Sequence, residues 1–517
     1  MNLTPEQRQV GRQNYYNALG VSRRDVLKSV AVAPAAGAFY YGYSELEDET
    51  VRAGLIGTGS QGNLLLSVSN PDFLRFEAYS EIRPSQIQRV RNGDAGDPMR
   101  LGFLRKYNMS ETQFEQKVRY HRDYRELLDN PDLDLVVIAL PLHLHFSVAR
   151  EALDAGKHVF CEAPLAETGD QCKQLSNLAR EKNLILSTGH HRHYSMLYDN
   201  ALSLIEDGVL GDVQHVRAFW HRNHSWPRLD NATAADGSVL HDDPWQDPIP
   251  AMDANLDYQS YGYDSLEELC WWRLHRRMGG GLMTELGSHQ LEVCGLLLGG
   301  VHPLAVSGVG GGCFFDGHRD IEDQVFATFE FPGHSHPQGK HAGNNADDIV
   351  VVTFSAISSN SIDGYGEQIM GSRGTMFVEQ EQNVMLFKEP APGEKATRAA
   401  TEISLTLSET SQPAIVAAES DSSGSAGAGW AQAATVGNSS RGYREELEHL
   451  AWCIRNPSAE NQPRCSPAAA LATATYAQVA NQAIRQRRRI EFQPEWFDLG
   501  SDEVPLPEED QLDSIAG

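Results

Sequence analysis

The chain has 517 residues, 41% of them hydrophobic, which is enough for two domains with sizeable cores. Its 70 acidic residues outnumber 43 basic ones, giving a net charge of −27. That balance excludes nucleic acid and anionic membrane surfaces as partners. Of the basic residues, 34 are arginine and only 9 are lysine, which suits either a surface hydrated in salt or a GC-rich coding sequence.

The N-terminus reads as an export signal. Ser22-Arg23-Arg24-Asp25-Val26-Leu27-Lys28 is a twin-arginine motif, and residues 29–43 carry no charge. That uncharged run is too short to span a bilayer, which takes about 20 apolar residues, but it fits a signal core, with Ala36-Gly37-Ala38 as an A-x-A cleavage site. Residues 1–44 are therefore expected to be a signal segment read by the twin-arginine translocase, which moves folded proteins. The expected location is periplasmic or otherwise outside the cytoplasm, with no integral membrane span.

The most informative stretch follows. Ala53, Leu55 and Ile56 predict a buried strand running into Gly57-x-Gly59-x-x-Gly62, and Asn63-Leu64-Leu65-Leu66 predicts a helix start. In a dinucleotide site Gly57 permits the tight turn, Gly59 admits the pyrophosphate and Gly62 lets helix and strand pack closely, with Ser60 and Gln61 in the same loop. A second strand over 73–79 is followed by Glu81, nineteen residues beyond Gly62. A carboxylate there accepts from ribose hydroxyls and favours NAD. Arg83 could hold a 2′-phosphate instead, so NADP stays open.

Strand and helix patterns alternate to about residue 165, with Leu135–Leu140 as a buried parallel strand. After about 170, helices over 171–182 and 198–207 give way to strands over 213–220, 324–331, 349–356, 374–379 and 384–388. The fold class is α/β. A Rossmann domain over 50–170 precedes an α/β domain over 171–490 with a largely antiparallel open sheet, then an acidic tail over 491–517. Residues 222–265 form a polar insertion with Trp226 and Trp245, and 407–441 predict a surface loop. Helices are expected over 443–455 and 467–485. The seven cysteines are scattered, without C-x-x-C, and no HExxH occurs, so no metal site is expected.

Four further steps carry chemistry: Pro141-Leu142-His143-Leu144-His145, Glu162-Ala163-Pro164, Gly189-His190-His191-Arg192-His193-Tyr194, and Gly279-Gly280-Gly281 through Glu285 to His289 after Trp272-Arg273. The first three fall at carboxyl ends of predicted strands, where ligands bind in open α/β sheets. With the closing Glu495-Trp496-Phe497, this order resembles the Gfo/Idh/MocA oxidoreductases, the family of glucose–fructose oxidoreductase and inositol dehydrogenase, over 50–497.

The resemblance implies bound NAD or NADP, sugar or cyclitol substrates, and a homo-oligomer built through the open sheet face. It places the catalytic histidine at His289, which moves the proton of a hydroxyl that becomes a ketone. Glu285, four residues earlier on a helix, would orient it. His190 is a further acid/base candidate. Arg192, His193, Tyr194 and Arg273 are expected on the substrate, and Pro141, His143, His145, Glu162 and Ala163 on the cofactor. The departure is Ala163, where relatives carry a lysine that aids proton transfer. The reading is an exported NAD(P)-dependent oxidoreductase acting on a sugar, polyol or glycoside hydroxyl with tightly bound cofactor. The alternatives are redox-neutral glycoside cleavage, and a catalytically weakened binding protein.

Overall fold

The computed structural model describes residues 3–18, 41–44, 46, 49–228, 231–234, 237–243, 245–312, 314–315, 319–389 and 441–505. The twin-arginine run, the A-x-A site and most of the 407–441 segment lie outside them.

The first sheet is parallel throughout: β1 (Val51–Ile56), β2 (Leu74–Ser80), β3 (Arg119–His121), β4 (Leu135–Ile138), β5 (His158–Cys161) and β6 (Leu186–Thr188), in the order β3-β2-β1-β4-β5-β6. This is the doubly wound order, whose crossovers put helices on both faces. All four residues of β4 are accordingly buried. The sixth strand lies beyond 170, so the first sheet extends past the boundary expected for its domain.

The second sheet has eight strands: β7 (Val213–His221), β8 (Ala305–Gly311), β9 (Gln324–Pro332), β10 (Ile349–Ile357), β11 (Tyr365–Gly371), β12 (Gly374–Glu379), β13 (Asn383–Lys388) and β14 (Ile490–Glu491). Their order is β13-β12-β11-β7-β10-β9-β8-β14, antiparallel except for the β7–β10 pair. Period-two alternation puts Phe329, Phe331, Val352 and Phe354 into a core shared with the helices Ser288–Leu297 and Pro467–Gln486. The opposite face shows Val309, Phe326 and Val351 to solvent. β8 and β11 escape sequence reading because they carry three and two glycines, which blur the strand pattern.

The late helices serve both halves. Leu447, Leu450 and Ile454 of Tyr443–Arg455 pack with Val51, Leu65 and Leu74 of the first domain. Ala470, Leu471 and Ala474 of Pro467–Gln486 pack beneath β4 and β5. The N-terminal segment is also built in. The helix Pro5–Ala18 lies on β13, with Asn14 donating to Leu386 O (3.1 Å) and Tyr15, Tyr16 and Ala18 buried. Tyr43 donates to Glu448 (2.7 Å). Among the described residues no helix is long and apolar enough to cross a membrane.

Candidate active site

The glycine loop leaves β1 with Gly57 at φ +85°, a conformation open to glycine. A Cβ on Gly57 would sit 2.4 Å from Ala139 O, and one on Gly62 would sit 2.1 Å from Gly57 O. Both glycines are therefore required by the chain's own packing. Gly59 differs: a Cβ there meets nothing within 4 Å. The protein leaves that space open, directly over the start of the helix Ser60–Val68, whose N-terminus no side chain caps. Uncapped N–H groups beside open space suit the pyrophosphate of a dinucleotide.

The space belongs to a cavity of about 1820 Å³ between the two domains, lined by Gly59, Ser60 and Gln61 on one side and by Arg222, Arg273 and His289 on the other. Its volume exceeds the roughly 300–1,000 Å³ of a single small-ligand pocket, leaving room for a dinucleotide and a second molecule. The insertion forms part of its wall through Trp245, Asp247, Pro250 and Tyr261.

At the end of β2, Glu81 and Arg83 line the cavity but are already engaged. Glu81 accepts from Thr58 N (2.9 Å), Thr58 Oγ1 (3.1 Å), Ile82 N (2.7 Å) and Arg83 N (2.9 Å). A carboxylate offers about four acceptor sites, so Glu81 staples the glycine loop to the turn after β2 instead of offering its oxygens to a ribose. Arg83 bonds Asp253 of the insertion through Nε and Nη2 (both 3.1 Å), and Ser85 donates to the same carboxylate through N (2.8 Å) and Oγ (2.5 Å). Asp253 is fully buried.

His289 opens the helix Ser288–Leu297, directly after a π-helical turn over Met283–Gly287. That wider turn breaks the i, i+4 stacking expected of Glu285 and His289. Glu285 accepts from Arg273 Nε (2.7 Å) instead, and burial pushes its carboxyl up against the pull of that guanidinium. Among the described residues the His289 ring takes no hydrogen-bond partner; its neighbours are the rings of His190, His191 and Trp220, at 6.2, 6.5 and 6.3 Å. Burial and the nearby Arg192 push His289 down to about 3, so it is a neutral imidazole at ordinary pH.

Of the catalytic, cofactor and substrate candidates, Gly62, His143, His190, His193 and Tyr194 do not line the cavity and the others do; Trp226 of the insertion does not. His190 and His193 turn to a carboxylate that sequence reading missed. Glu292 Oε2 lies 3.3 Å from His190 Nδ1, and Oε1 lies 2.7 Å from His193 Nε2. Burial works to raise the Glu292 carboxyl, but the two histidines outweigh it and hold it well below the usual range. Tyr194 is buried, its hydroxyl between His449 Nδ1 (2.6 Å) and Arg464 N (2.9 Å). In this arrangement these three side chains pair with interior groups instead of lining the cavity. The cause is the short 3₁₀ helix His191–Tyr194, which turns them away from the cleft.

Arg192 reaches the cavity wall but is spent on protein partners. It donates to Glu381 Oε1 through Nε (2.9 Å) and Nη2 (2.6 Å), and to His289 O (2.7 Å). His143 sits edge-on to Tyr263 at 5.9 Å. The His145 ring lies between Pro164 O and Leu140 O, 2.8 Å from each, pinning the Ala163–Pro164 turn to the end of β4. Glu162 accepts from Gln61 Nε2 (2.8 Å), and burial pushes its carboxyl up to about 7. Sequence reading also missed Trp220, Arg222, Glu381 and Tyr443 in the wall. Glu381 and Tyr443 lie far along the chain from the motifs, and only His289's neighbour three residues on, Glu292, offered a helical-spacing signal.

Two family models match the chain: the oxidoreductase family, NAD-binding Rossmann fold, over residues 51–190, and the C-terminal alpha/beta domain of the same family over 257–492. The chain belongs to the Gfo/Idh/MocA oxidoreductase family. A levoglucosan dehydrogenase of Pseudarthrobacter phenanthrenivorans is 34% identical over 103 residues, 20% of this chain and 26% of that protein. A glycosyl hydrolase family 109 protein of Shewanella pealeana is 26% identical over 252 residues, 45% of this chain and 51% of its own length. The chain thus spans about a quarter to a half of these curated relatives. Among solved structures, an aldose–aldose oxidoreductase from Caulobacter crescentus superposes with a TM-score of 0.54 at 18% identity, covering 86% of this chain and all of that one. Levoglucosan dehydrogenase with NADH and levoglucosan gives 0.54 at 17% identity, covering 86% and 99%. At these identities the superpositions speak for the fold.

Proposed function

We propose that this family member is an exported NAD-dependent oxidoreductase that oxidises a hydroxyl of a sugar, polyol or glycoside and keeps its dinucleotide between turnovers. The observation that carries the reading is the open space at Gly59 above an uncapped helix N-terminus, in one cavity with the imidazole of His289. The nicotinamide, when bound, supplies the hydride acceptor. Gly59 admits the pyrophosphate to the backbone, and the first turn of Ser60–Val68 binds it. His289 enters the reaction neutral and takes the hydroxyl proton. Ala163 leaves no ammonium in the site, and Glu162, poised to about 7, is the second group able to exchange a proton there.

The pairing of Arg83 with Asp253 favours NAD over NADP, because the cation placed to read a 2′-phosphate is already neutralised. The same contact ties the insertion to the cofactor domain, which favours slow cofactor release. Retention suits an exported protein, since no soluble nicotinamide pool recycles the cofactor outside the cytoplasm. Export rests on the twin-arginine run at 22–28, and the apolar Val309, Phe326 and Val351 on the outer face of the second sheet favour a homo-oligomer.

The relatives named as family 109 glycosyl hydrolases favour a second reading, redox-neutral glycoside cleavage with the same cofactor. Denaturing the purified protein and identifying released nicotinamide by absorbance and mass spectrometry tests both. Protein that contains none and takes up none on addition would leave only a binding function. Product analysis on anhydrosugars, aldoses and aryl glycosides then separates oxidation from cleavage.

A further inference from the structure

The arginines near the His289 end of the cavity differ in how they are paired. Glu285 pairs with Arg273 at 2.7 Å. Arg319 lies 3.9 Å from Asp243, with Asp323 and Glu322 adding their charge. Arg222, one residue past the end of β7, has no carboxylate in contact among the described residues. It lines the cavity with its guanidinium 4.8 Å from the centre of the Trp245 ring. Its main-chain N–H donates to Ile357 O (2.8 Å), but among the described residues its guanidinium makes no hydrogen bond and no ion pair. Its charge acts on Glu285, four residues before His289, so the unpaired cation lies at the same end of the cavity as the proposed reacting centre. Burial lowers its basicity to about 10, against the pull of Asp243.

A half-buried cation without an anion is costly, and a neutral hydroxyl relieves only part of that cost. A carboxylate relieves it fully, by two parallel N–H···O bonds from the planar guanidinium. We propose that the substrate carries a carboxylate, as in a uronic or aldonic acid, and that Arg222 grips this group while the indole of Trp245 backs the guanidinium. The assignment of the bound group as substrate rests on the oxidoreductase reading; the anion site itself does not.

The test compares the purified protein with Arg222→Met and Arg222→Lys. Unfolding temperatures are measured with acetate, D-glucuronate, D-glucose, or chloride at matched ionic strength. The expected result is stabilisation of the native protein by both carboxylates above chloride. D-Glucuronate should bind at least about tenfold tighter than D-glucose, the discrimination a charge-assisted pair supplies. Arg222→Met should lose that preference while unfolding no earlier than the native protein without ligand, because an unmatched charge has been removed. Arg222→Lys should keep part of it. Equal response to carboxylates and chloride, or a preference that survives Arg222→Met, overturns the proposal. Carboxylate stabilisation in a protein that neither contains nor takes up nicotinamide would uphold the anion site and sink the oxidoreductase reading instead. NADH added alone identifies the remaining source: stabilisation by NADH that vanishes in Arg222→Met assigns the arginine to the cofactor phosphates and overturns the substrate role.

Discussion

Arg192 donates to the main-chain oxygen of His289 at 2.7 Å, so its guanidinium steadies the helix that carries the imidazole. The same group grips Glu381, whose carboxyl burial would raise but which Arg192 and His191 hold well below the usual range. Arg192→Ala takes the main partner from that buried carboxylate and leaves it His191 at 3.1 Å. Breaking a buried pair from one side costs about 3–5 kcal/mol, and urea unfolding should register it. Arg192→Lys should recover only part, since a point charge does not reproduce the two-pronged contact. A loss under about 1 kcal/mol, the level of a surface pair, would refute the structural role.

Gly59 and Gly62 should separate binding from folding. Gly62→Ala forces a Cβ to 2.1 Å from Gly57 O, and the melting temperature should fall. Gly59→Ala meets no protein atom, so the melting temperature should hold while the protein emerges without nicotinamide. Full cofactor content in Gly59→Ala would place the dinucleotide elsewhere.

His289→Ala should lower turnover by about 10²–10⁴, the range for a lost acid/base group, with nicotinamide content unchanged. Turnover within a few-fold of native would move the proton transfer to another group.

The pH profile of oxidation should bend near 7. Burial raises Glu162 to about 7, so it is neutral below that pH and gains its accepting form above it; activity should rise through the bend. His289, pushed down to about 3, stays unprotonated through the bend. Glu162→Gln should erase the bend. Ala163→Lys should shift it to lower pH, because an adjacent ammonium favours the carboxylate. A bend untouched by both variants would assign it to another group.

Asp253→Ala frees the insertion from Arg83 and Ser85. Truncating a buried, hydrogen-bonded charge pair acts mainly on dissociation. Nicotinamide should be lost about tenfold faster, read as cofactor remaining after repeated gel filtration. Unchanged retention in a folded variant would free the insertion of that role.

What the sequence disclosed follows backbone rules. Gly57 and Gly62 are dictated by local sterics, and the apolar run of β4 by burial on both faces, so both were legible. Glu292 and Glu381 were not, because their partners are set by tertiary packing. Glu381 meets His191 across 190 positions of chain. The run 190–194 misled for a related reason: it follows a strand end, but a single 3₁₀ turn decides which of its side chains face inward. The π turn before His289 likewise has no simple residue signature, so the pairing of Glu285 with Arg273 had to be seen.

The first helix carries a consequence for maturation. Gly11 rests against Phe387 and Met385, and Arg8 pairs with Glu379, while Tyr43 is anchored on the far side of the A-x-A site. A peptidase cut at that site would therefore nick the molecule instead of trimming it. The severed peptide would remain seated on β13 as a non-covalent fragment, and its loss would bare the patch that Tyr15 and Tyr16 now cover.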